Sequence, residues 1–219
     1  MGKPDNCPYT CADVANCSEL CTRYGKMNHM LEHCNVPNYM DFIKCSADTE
    51  EIEPKVLELL KDWKSNVLDY VRNGQNLYIS SPYIQTGKTM FSVKIMFKYF
   101  DEVWAKTDFI TRGYFIPVQE LLGKTKNFKF FDTEEFQQLD TVMKQTDVVI
   151  WDGITDWPLS SEEQKLLTRY IKYRFDRKRS NIFNGLSQEE LKDTVGGILA
   201  EYIGAAEQAD LYDERREVC

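Results

Sequence analysis

The sequence lacks any long apolar run, so no segment predicts a membrane span. A transmembrane helix needs about 20 consecutive apolar residues, and no run in the 219 residues approaches that length. The first residues lack the apolar centre of a secretion signal, and Asn6 stands where a myristoylation signal has Ser or Thr. Internal repeats and low-complexity tracts are also absent. We therefore expect a globular cytoplasmic protein with no membrane partner.

Positive charge is also in deficit, because the formal net charge is −8. The surface as a whole does not attract nucleic acid, but residues 165–179 carry seven Lys and Arg side chains. This segment either contacts phosphates or forms a solvated helix whose apolar stripe packs on a sheet. Residues 123–132 interleave three lysines with three phenylalanines. They predict an exposed loop that stacks single-stranded bases, or aromatic rings packed in the core.

Cysteine is concentrated at one end of the chain, where six of the seven precede residue 46. A cytoplasmic chain does not favour disulfides. Thiolates at short spacing can instead surround a tetrahedral Zn²⁺ ion, and a segment of about 45 residues needs such a staple to fold alone. The predicted zinc ligands are Cys7, Cys11, Cys17 and Cys21. His29, His33 or Cys34 are candidates to replace one of them, and a set of buried free thiols is the alternative.

Residues 81–89 (SPYIQTGKT) lie between a strand-like run at 76–79 and a helix-like run at 90–100. A strand, a loop ending in Gly-Lys-Thr and a helix together form a site for a nucleoside triphosphate. Lys88 supplies charge to the β- and γ-phosphates, and the Thr89 hydroxyl can bind Mg²⁺. Thr86 and Gly87 complete the predicted nucleotide-binding residues of the loop. Pro82 stands where the usual pattern has its first glycine.

A second apolar run, at residues 147–152, ends in Asp152. Four consecutive apolar residues between two acids predict a strand buried on both faces of a parallel sheet. A carboxylate at the C-terminal end of such a strand lies where these sheets bind ligands. Asp152 is therefore expected to hold Mg²⁺ opposite Thr89.

Strand and helix signals alternate along the rest of the chain, which predicts an α/β fold with a parallel sheet flanked by helices. The polar stretch at 46–54 divides the chain into a small Cys-rich helical module, 1–47, and a P-loop domain, 48–219. Helices are predicted at 22–34, 56–71, 90–100, 134–145 and 161–175, and another starts at Ser187. Strands are predicted at 76–80, 112–118, 147–152 and 181–184. Residues 207–217 are interpreted as an acidic segment.

The order of these motifs resembles the AAA+ ATPase domain of DnaC/DnaI-type replicative helicase loaders, in the version found in phages of Gram-positive bacteria. The matching segments are 76–79, 87–89, 111–116, 148–152, 180–186 and 213–216. Cys17, Cys21 and residues 35–37 resemble the N-terminal module of the same group. The resemblance implies that ATP or ADP binds with Mg²⁺. It also implies that the N-terminal module holds a hexameric replicative helicase and that the ATPase domain binds single-stranded DNA, with self-assembly left open.

The resemblance also implies roles for single residues. Lys88 and Thr89 match the nucleotide and Mg²⁺ residues, and Asp152 matches the first Walker B acid. Asn184 matches the polar sensor that orients the attacking water. Arg215 or Arg216 matches the second sensor, which contacts the γ-phosphate.

Two positions depart from the family pattern. Gly153 stands where the second Walker B acid is usual, and Tyr202 stands at the position of the arginine finger. Hydrolysis needs a carboxylate near the attacking water, and the nearest spare one, Asp156, is about a turn away. We therefore expect nucleotide binding with weak hydrolysis. Two alternatives stay open: a degenerate AAA+ protein that binds and inhibits or redirects a host helicase or loader, and a stand-alone P-loop ATPase or kinase.

Overall fold

The structure, a computed structural model, describes residues 21–45, 52–83, 85–108, 110–187 and 191–212. Its centre is a parallel five-stranded sheet in the order β2-β3-β4-β1-β5. The strands are β1 (Leu77–Ser80), β2 (Gly113–Pro117), β3 (Val148–Asp152), β4 (Ser180–Gly185) and β5 (Glu207–Asp210). The predicted α/β class with a parallel sheet is therefore confirmed.

Helices cover both faces of this sheet. The described α-helices are α1 (Thr22–His33), α2 (Tyr39–Lys44), α3 (Pro54–Ser65), α4 (Val67–Arg72), α5 (Lys88–Val103), α6 (Val118–Thr125), α7 (Glu134–Gln145), α8 (Ser161–Asp176), α9 (Leu191–Val195) and α10 (Gly197–Gly204). No helix in this part of the chain is both long and apolar enough to cross a membrane.

Alternation along the strands divides the core into two layers. Leu77 and Ile79 of β1 face one layer, which α1, α3, α4 and α5 complete, while Tyr78 faces the other, built with α6, α7, α8 and α10. Side chains of a strand point alternately to the two faces, and a strand covered on both faces is apolar throughout. This is why the apolar runs in β1 and β3 predict strands from the sequence alone.

Several helix ends follow from local chemistry. Ser160 and Glu163 form a capping box at the start of α8, and the Thr133 hydroxyl accepts from the backbone of Phe136 at the start of α7. The helix predicted at 56–71 is two helices, with a break at Asn66 between α3 and α4. The short strand β5 was not predicted, because it contains a single apolar side chain, Ala209.

Residues 165–179 and 123–132 each had two interpretations, and the structure bears on both segments. Leu167, Tyr170 and Ile171 of α8 are buried, so the predicted apolar stripe does pack on the sheet. Residues 123–132 are mostly exposed, but they do not form the expected loop, because α6 continues to Thr125 and a short 3₁₀ helix covers Phe128–Asp132. In that helix Phe130 is buried in the core, whereas Phe128 is 86% exposed.

The described part of the predicted N-terminal module packs on the P-loop domain through buried Met30 and Leu31 of α1. The division at residue 47 stays a prediction. Three predicted zinc ligands, Cys7, Cys11 and Cys17, lie outside the described residues. Cys21 precedes α1, and the described residues contain no group of three or more His, Cys, Asp or Glu side chains that could hold a metal.

Cys34 is not suited to replace a zinc ligand. Its side chain is fully buried, its thiol donates to the carbonyl of Leu31 (3.2 Å), and burial raises its pKa to about 12. Zinc binds the thiolate, which this environment disfavours. Cys34 therefore belongs to the core, as in the alternative of buried free thiols.

Candidate nucleotide-binding site

The strand order brings three predicted site segments to one edge of the sheet. β4 lies between β1 and β3, and all three strands are parallel. Their carboxyl ends therefore meet, which places the loop after β1 and the last residue of β3 on either side of Asn184. This edge is where open α/β sheets bind ligands.

The loop after β1 closes on itself around Lys88. The Lys88 ammonium donates to the Tyr83 carbonyl (2.7 Å) and lies 3.4 Å from the Thr86 hydroxyl. Gly87 has a φ of 90° and forms the N-cap of α5, a backbone conformation that favours glycine. The loop thus begins a helix of 16 residues, whose N-terminal N–H groups and dipole favour an anion.

Lys88 is a partly buried cation near several carboxylates. Desolvation lowers its pKa, whereas Asp156, Asp152 and Asp210 act in the opposite direction. No carboxylate of the described residues forms an ion pair with Lys88 within 4.0 Å. Its charge is therefore available to an incoming anion.

Asp152 connects the loop helix to β4. Its Oδ1 accepts from the Thr89 hydroxyl (2.8 Å) and from the Asn184 amide (2.6 Å). The same amide nitrogen also donates to the Ser92 hydroxyl (2.9 Å). Asn184 Oδ1 is buried and has no hydrogen-bond partner among the described residues. A buried acceptor without a donor is costly, so this oxygen marks a place for a water or ligand.

Thr89 and Asp152 fit a magnesium site. Two ligands at right angles on Mg²⁺, each 2.0–2.1 Å from the ion, lie about 2.9 Å apart. The Thr89 hydroxyl and Asp152 Oδ1 are 2.8 Å apart, and both are the oxygen donors that Mg²⁺ prefers. The pair can therefore enter one coordination sphere with little movement.

Asp156 reaches the space beside Gly153. Its backbone N–H donates to the Gly153 carbonyl (3.3 Å), and Gly153 has a φ of 71°. A Cβ at position 153 would lie 2.9 Å from Asp156 Oδ2. Desolvation raises the pKa of the Asp156 carboxyl, Lys88 lowers it, and Asp152 raises it. Asp156 is thus about a turn away along the chain, and the turn at Gly153 brings its carboxylate back beside position 153.

Sequence reasoning missed three residues of this edge. Ser92 reaches Asn184 from the second turn of α5, and Asp210 ends the unpredicted strand β5. Thr155 lies against Gly185, because a Cβ added at position 185 would be 1.8 Å from the Thr155 hydroxyl. The 3.6-residue helix period that places Ser92 near Thr89 is a usable signal. The sequence carries no such signal for Asp210 and Thr155.

Other predicted residues are not brought to the site. Arg215 and Arg216 lie outside the described residues. Tyr202, at the arginine-finger position, packs edge-on against Phe175 with ring centroids 5.0 Å apart. Its role in the described part of the chain is packing between α10 and α8.

The strand order, the loop and the Asp152 network fit the α/β fold of an AAA+ domain. The sequence matches no protein-family model and no curated protein. Solved structures do match. The crystal structure of the DnaC helicase loader has a TM-score of 0.61 at 18% identity, over 78% of this chain and 98% of that one.

Two further structures agree. The crystal structure of DnaI has a TM-score of 0.58 at 14% identity, over 77% of this chain and 88% of that one. The replication initiator DnaA bound to AMPPCP and single-stranded DNA has a TM-score of 0.55 at 13% identity, over 86% of this chain and 51% of that one. The chain thus spans about half of that initiator. At such low sequence identities, the structural matches show the fold alone. The expected DnaC-like AAA+ fold is confirmed.

Proposed function

We propose that this protein is an ATP-binding, helicase-loader-like protein of DNA replication that contacts a hexameric replicative helicase and single-stranded DNA. The observation that carries the proposal is the joint placement of Lys88, Thr89, Asp152 and Asn184 at one edge of the sheet. The fold it shares with the DnaC helicase loader and with DnaA bound to an ATP analogue supports it. The cytoplasm of a bacterial host cell, a phage-like origin and self-assembly remain predictions.

In this proposal the loop holds the phosphates of ATP or ADP. Thr86, Gly87 and Lys88 bind phosphate oxygens, and Lys88 exchanges the Tyr83 carbonyl for them. Thr89 and Asp152 hold Mg²⁺, which neutralises charge on the β- and γ-oxygens when bound. Asn184 Oδ1, buried and free of a donor in the described residues, accepts from the attacking water. Arg215 or Arg216 contacts the γ-phosphate.

Hydrolysis in this site is weak and depends on Asp156. Gly153 has no carboxylate to orient water, and Tyr202 cannot act as an arginine finger. Asp156 Oδ2 lies 2.9 Å from where a side chain at 153 would begin, so it takes over part of the missing function.

Zinc bound by Cys7, Cys11, Cys17 and Cys21 remains part of the proposal, as the staple of the helicase-binding segment. Metal content of the purified chain tests it. A preparation that folds and carries no zinc contradicts it.

Replacing Lys88 by alanine is expected to weaken binding of Mg²⁺-ATP about 10- to 100-fold, because a hydrogen bond to a charged group contributes about 1.5–3 kcal/mol. Isothermal titration calorimetry measures the change. Lys94→Ala is the matched control, since Lys94 lies on the same helix α5 beyond its first turn. Equal affinity in Lys88→Ala and the native chain contradicts the nucleotide site.

The helicase role has its own test. We expect the native chain to retain a hexameric replicative helicase in a pull-down and to increase its transfer onto single-stranded DNA covered by binding protein. Capture combined with reduced helicase transfer supports the inhibitor alternative, which the glycine at 153 and the tyrosine at 202 favour. No capture of the helicase, while Mg²⁺-ATP still binds, leaves the stand-alone ATPase.

A further inference from the structure

A cavity of about 540 Å³ lies at the edge of the sheet opposite the nucleotide site. Six basic side chains line it: Arg72, Lys106, Arg112, Arg177, Lys178 and Arg179. They come from four separate segments, which precede β1, β2 and β4 or follow α5. In a parallel sheet all strands start at the same edge, so the topology gathers these segments although they are far apart in the sequence.

The cations of this cavity exceed the anions that face them. Asp147 is the one carboxylate among the described lining residues. It pairs with Arg112 (2.8 Å) and Arg179 (3.6 Å), and its Oδ2 also accepts from the Tyr99 hydroxyl (2.7 Å). The other four cations have no ion pair with a carboxylate of the described residues.

Helix dipoles explain only part of this charge. Four helices, α4, α5, α7 and α8, end near the starts of the strands, and each C-terminus carries about half a negative charge. Together they offset about two positive charges. Among the described lining residues, six cations against one carboxylate leave an excess of five positive charges. After the helix dipoles, about three of these charges remain uncompensated by that part of the chain. In a chain of net charge −8 this is a strongly localised positive field.

Part of the cavity lining is held in place. The guanidinium of Arg177 lies 3.7 Å from the ring centroid of Tyr173, a cation–π arrangement that orients it. Arg179 donates to the carbonyls of Gln145 and Thr146. These contacts reduce the side-chain entropy that would be lost on binding a ligand.

We infer that this cavity binds the phosphate backbone of single-stranded DNA. The inference rests on the single-stranded DNA contact in the proposed function and gives that contact a location. Clustered phosphates match uncompensated cations, and a concave cavity of this volume admits a segment of one strand. The nucleotide site lies at the opposite edge of the sheet, at the carboxyl ends of the strands, so ATP and DNA can bind at the same time.

The test measures binding of a labelled oligothymidylate of about 15 nucleotides by fluorescence anisotropy, at several salt concentrations. The cavity variant combines Arg72→Gln, Lys106→Gln and Arg177→Gln. Its control combines Lys55→Gln, Lys61→Gln and Lys192→Gln, which are exposed lysines elsewhere with the same total charge change. Both variants are checked for Mg²⁺-ATP binding, which neither should alter.

The cavity variant is expected to bind the oligonucleotide at least about 10-fold more weakly. Because each phosphate contact on a single strand contributes about 0.7 to the slope of log K against log salt, that slope should be about 2 less steep. The control should change affinity by less than about twofold. Equal weakening by both variants overturns the inference. So does displacement of the oligonucleotide by ATP in Lys88→Ala, which would make the cavity a free-nucleotide site.

Failures of the two proposals are distinguishable. Undiminished DNA binding in the cavity variant overturns the cavity assignment and leaves the helicase-loader proposal intact. A native chain that binds no DNA while it binds Mg²⁺-ATP and the helicase overturns both the cavity and the DNA contact. Equal Mg²⁺-ATP affinity in Lys88→Ala and the native chain, by contrast, contradicts the nucleotide site alone.

Discussion

Replacing Arg174 by methionine is expected to lower the free energy of unfolding by about 2–4 kcal/mol, because it leaves buried carbonyl groups without a donor. Arg174 is fully buried. Its guanidinium donates to the carbonyls of Met143 (2.9 Å) and Thr146 (2.9 Å), which belong to the end of α7 and the residue after it. The last carbonyls of a helix have no partner within it, so this side chain caps α7 from another helix.

The same guanidinium joins the two central strands next to it. It donates to the Asp147 carbonyl (3.2 Å), the Ser180 carbonyl (2.6 Å) and Asn181 Oδ1 (2.7 Å). Burial lowers its pKa to about 9, with Arg179 adding to the effect and Asp147 opposing it. The group therefore stays charged at neutral pH. Three of its five acceptors keep a second donor, which limits the expected loss.

Two variants sharpen this test. Arg169→Met changes the same helix at a side chain that is 62% exposed and 3.4 Å from Asp140, and a surface pair contributes about 0–1 kcal/mol. Arg174→Lys keeps a charge but has fewer donors and no planar fork, so we expect an intermediate loss. Urea denaturation followed by tryptophan fluorescence measures all three. If Arg174→Met is as stable as Arg169→Met, the capping role is wrong.

The nucleotide site was the part of the molecule most accessible from the sequence. Lys88 and Thr89 follow a buried strand, and Asp152 ends another, so local pattern and sheet topology point to the same edge. Asn184 was reached through the family resemblance, and the structure places its amide 2.6 Å from Asp152 Oδ1. A parallel sheet makes such positions predictable because every strand delivers its last residue to one side.

Features that depend on long-range contacts were not accessible in this way. Strand β5 has one buried residue, Ala209, and its extended conformation follows from pairing with β1. The basic side chains of the cavity come from four separate segments of the chain. Counting charges along the sequence identifies only one of them, 165–179. Separation along the chain places Asp156 about a turn away from position 153, and it says nothing of the turn with a positive φ at Gly153 that brings the two together.

Replacing Asp156 by asparagine is expected to lower the turnover of Mg²⁺-ATP by at least about 100-fold, because a positioned carboxylate contributes about 10²–10⁴-fold to proton transfer. Nucleotide binding should not weaken, since Asp156 lies outside the phosphate loop and its removal takes a carboxylate away from Lys88. A pKa raised by desolvation brings this carboxyl closer to the working pH of a general base.

Single-turnover hydrolysis of labelled ATP measures the effect even where the native rate is low. Asp193→Asn is the control, because Asp193 is an exposed carboxylate on α9. ATP hydrolysis that remains in the Lys88→Ala preparation measures the contribution of any contaminating ATPase. Native turnover that survives in Asp156→Asn and disappears in Lys88→Ala would show that the site hydrolyses ATP without this carboxylate. Asn184, whose Oδ1 has no hydrogen-bond partner among the described residues, would then be the remaining group that orients the water.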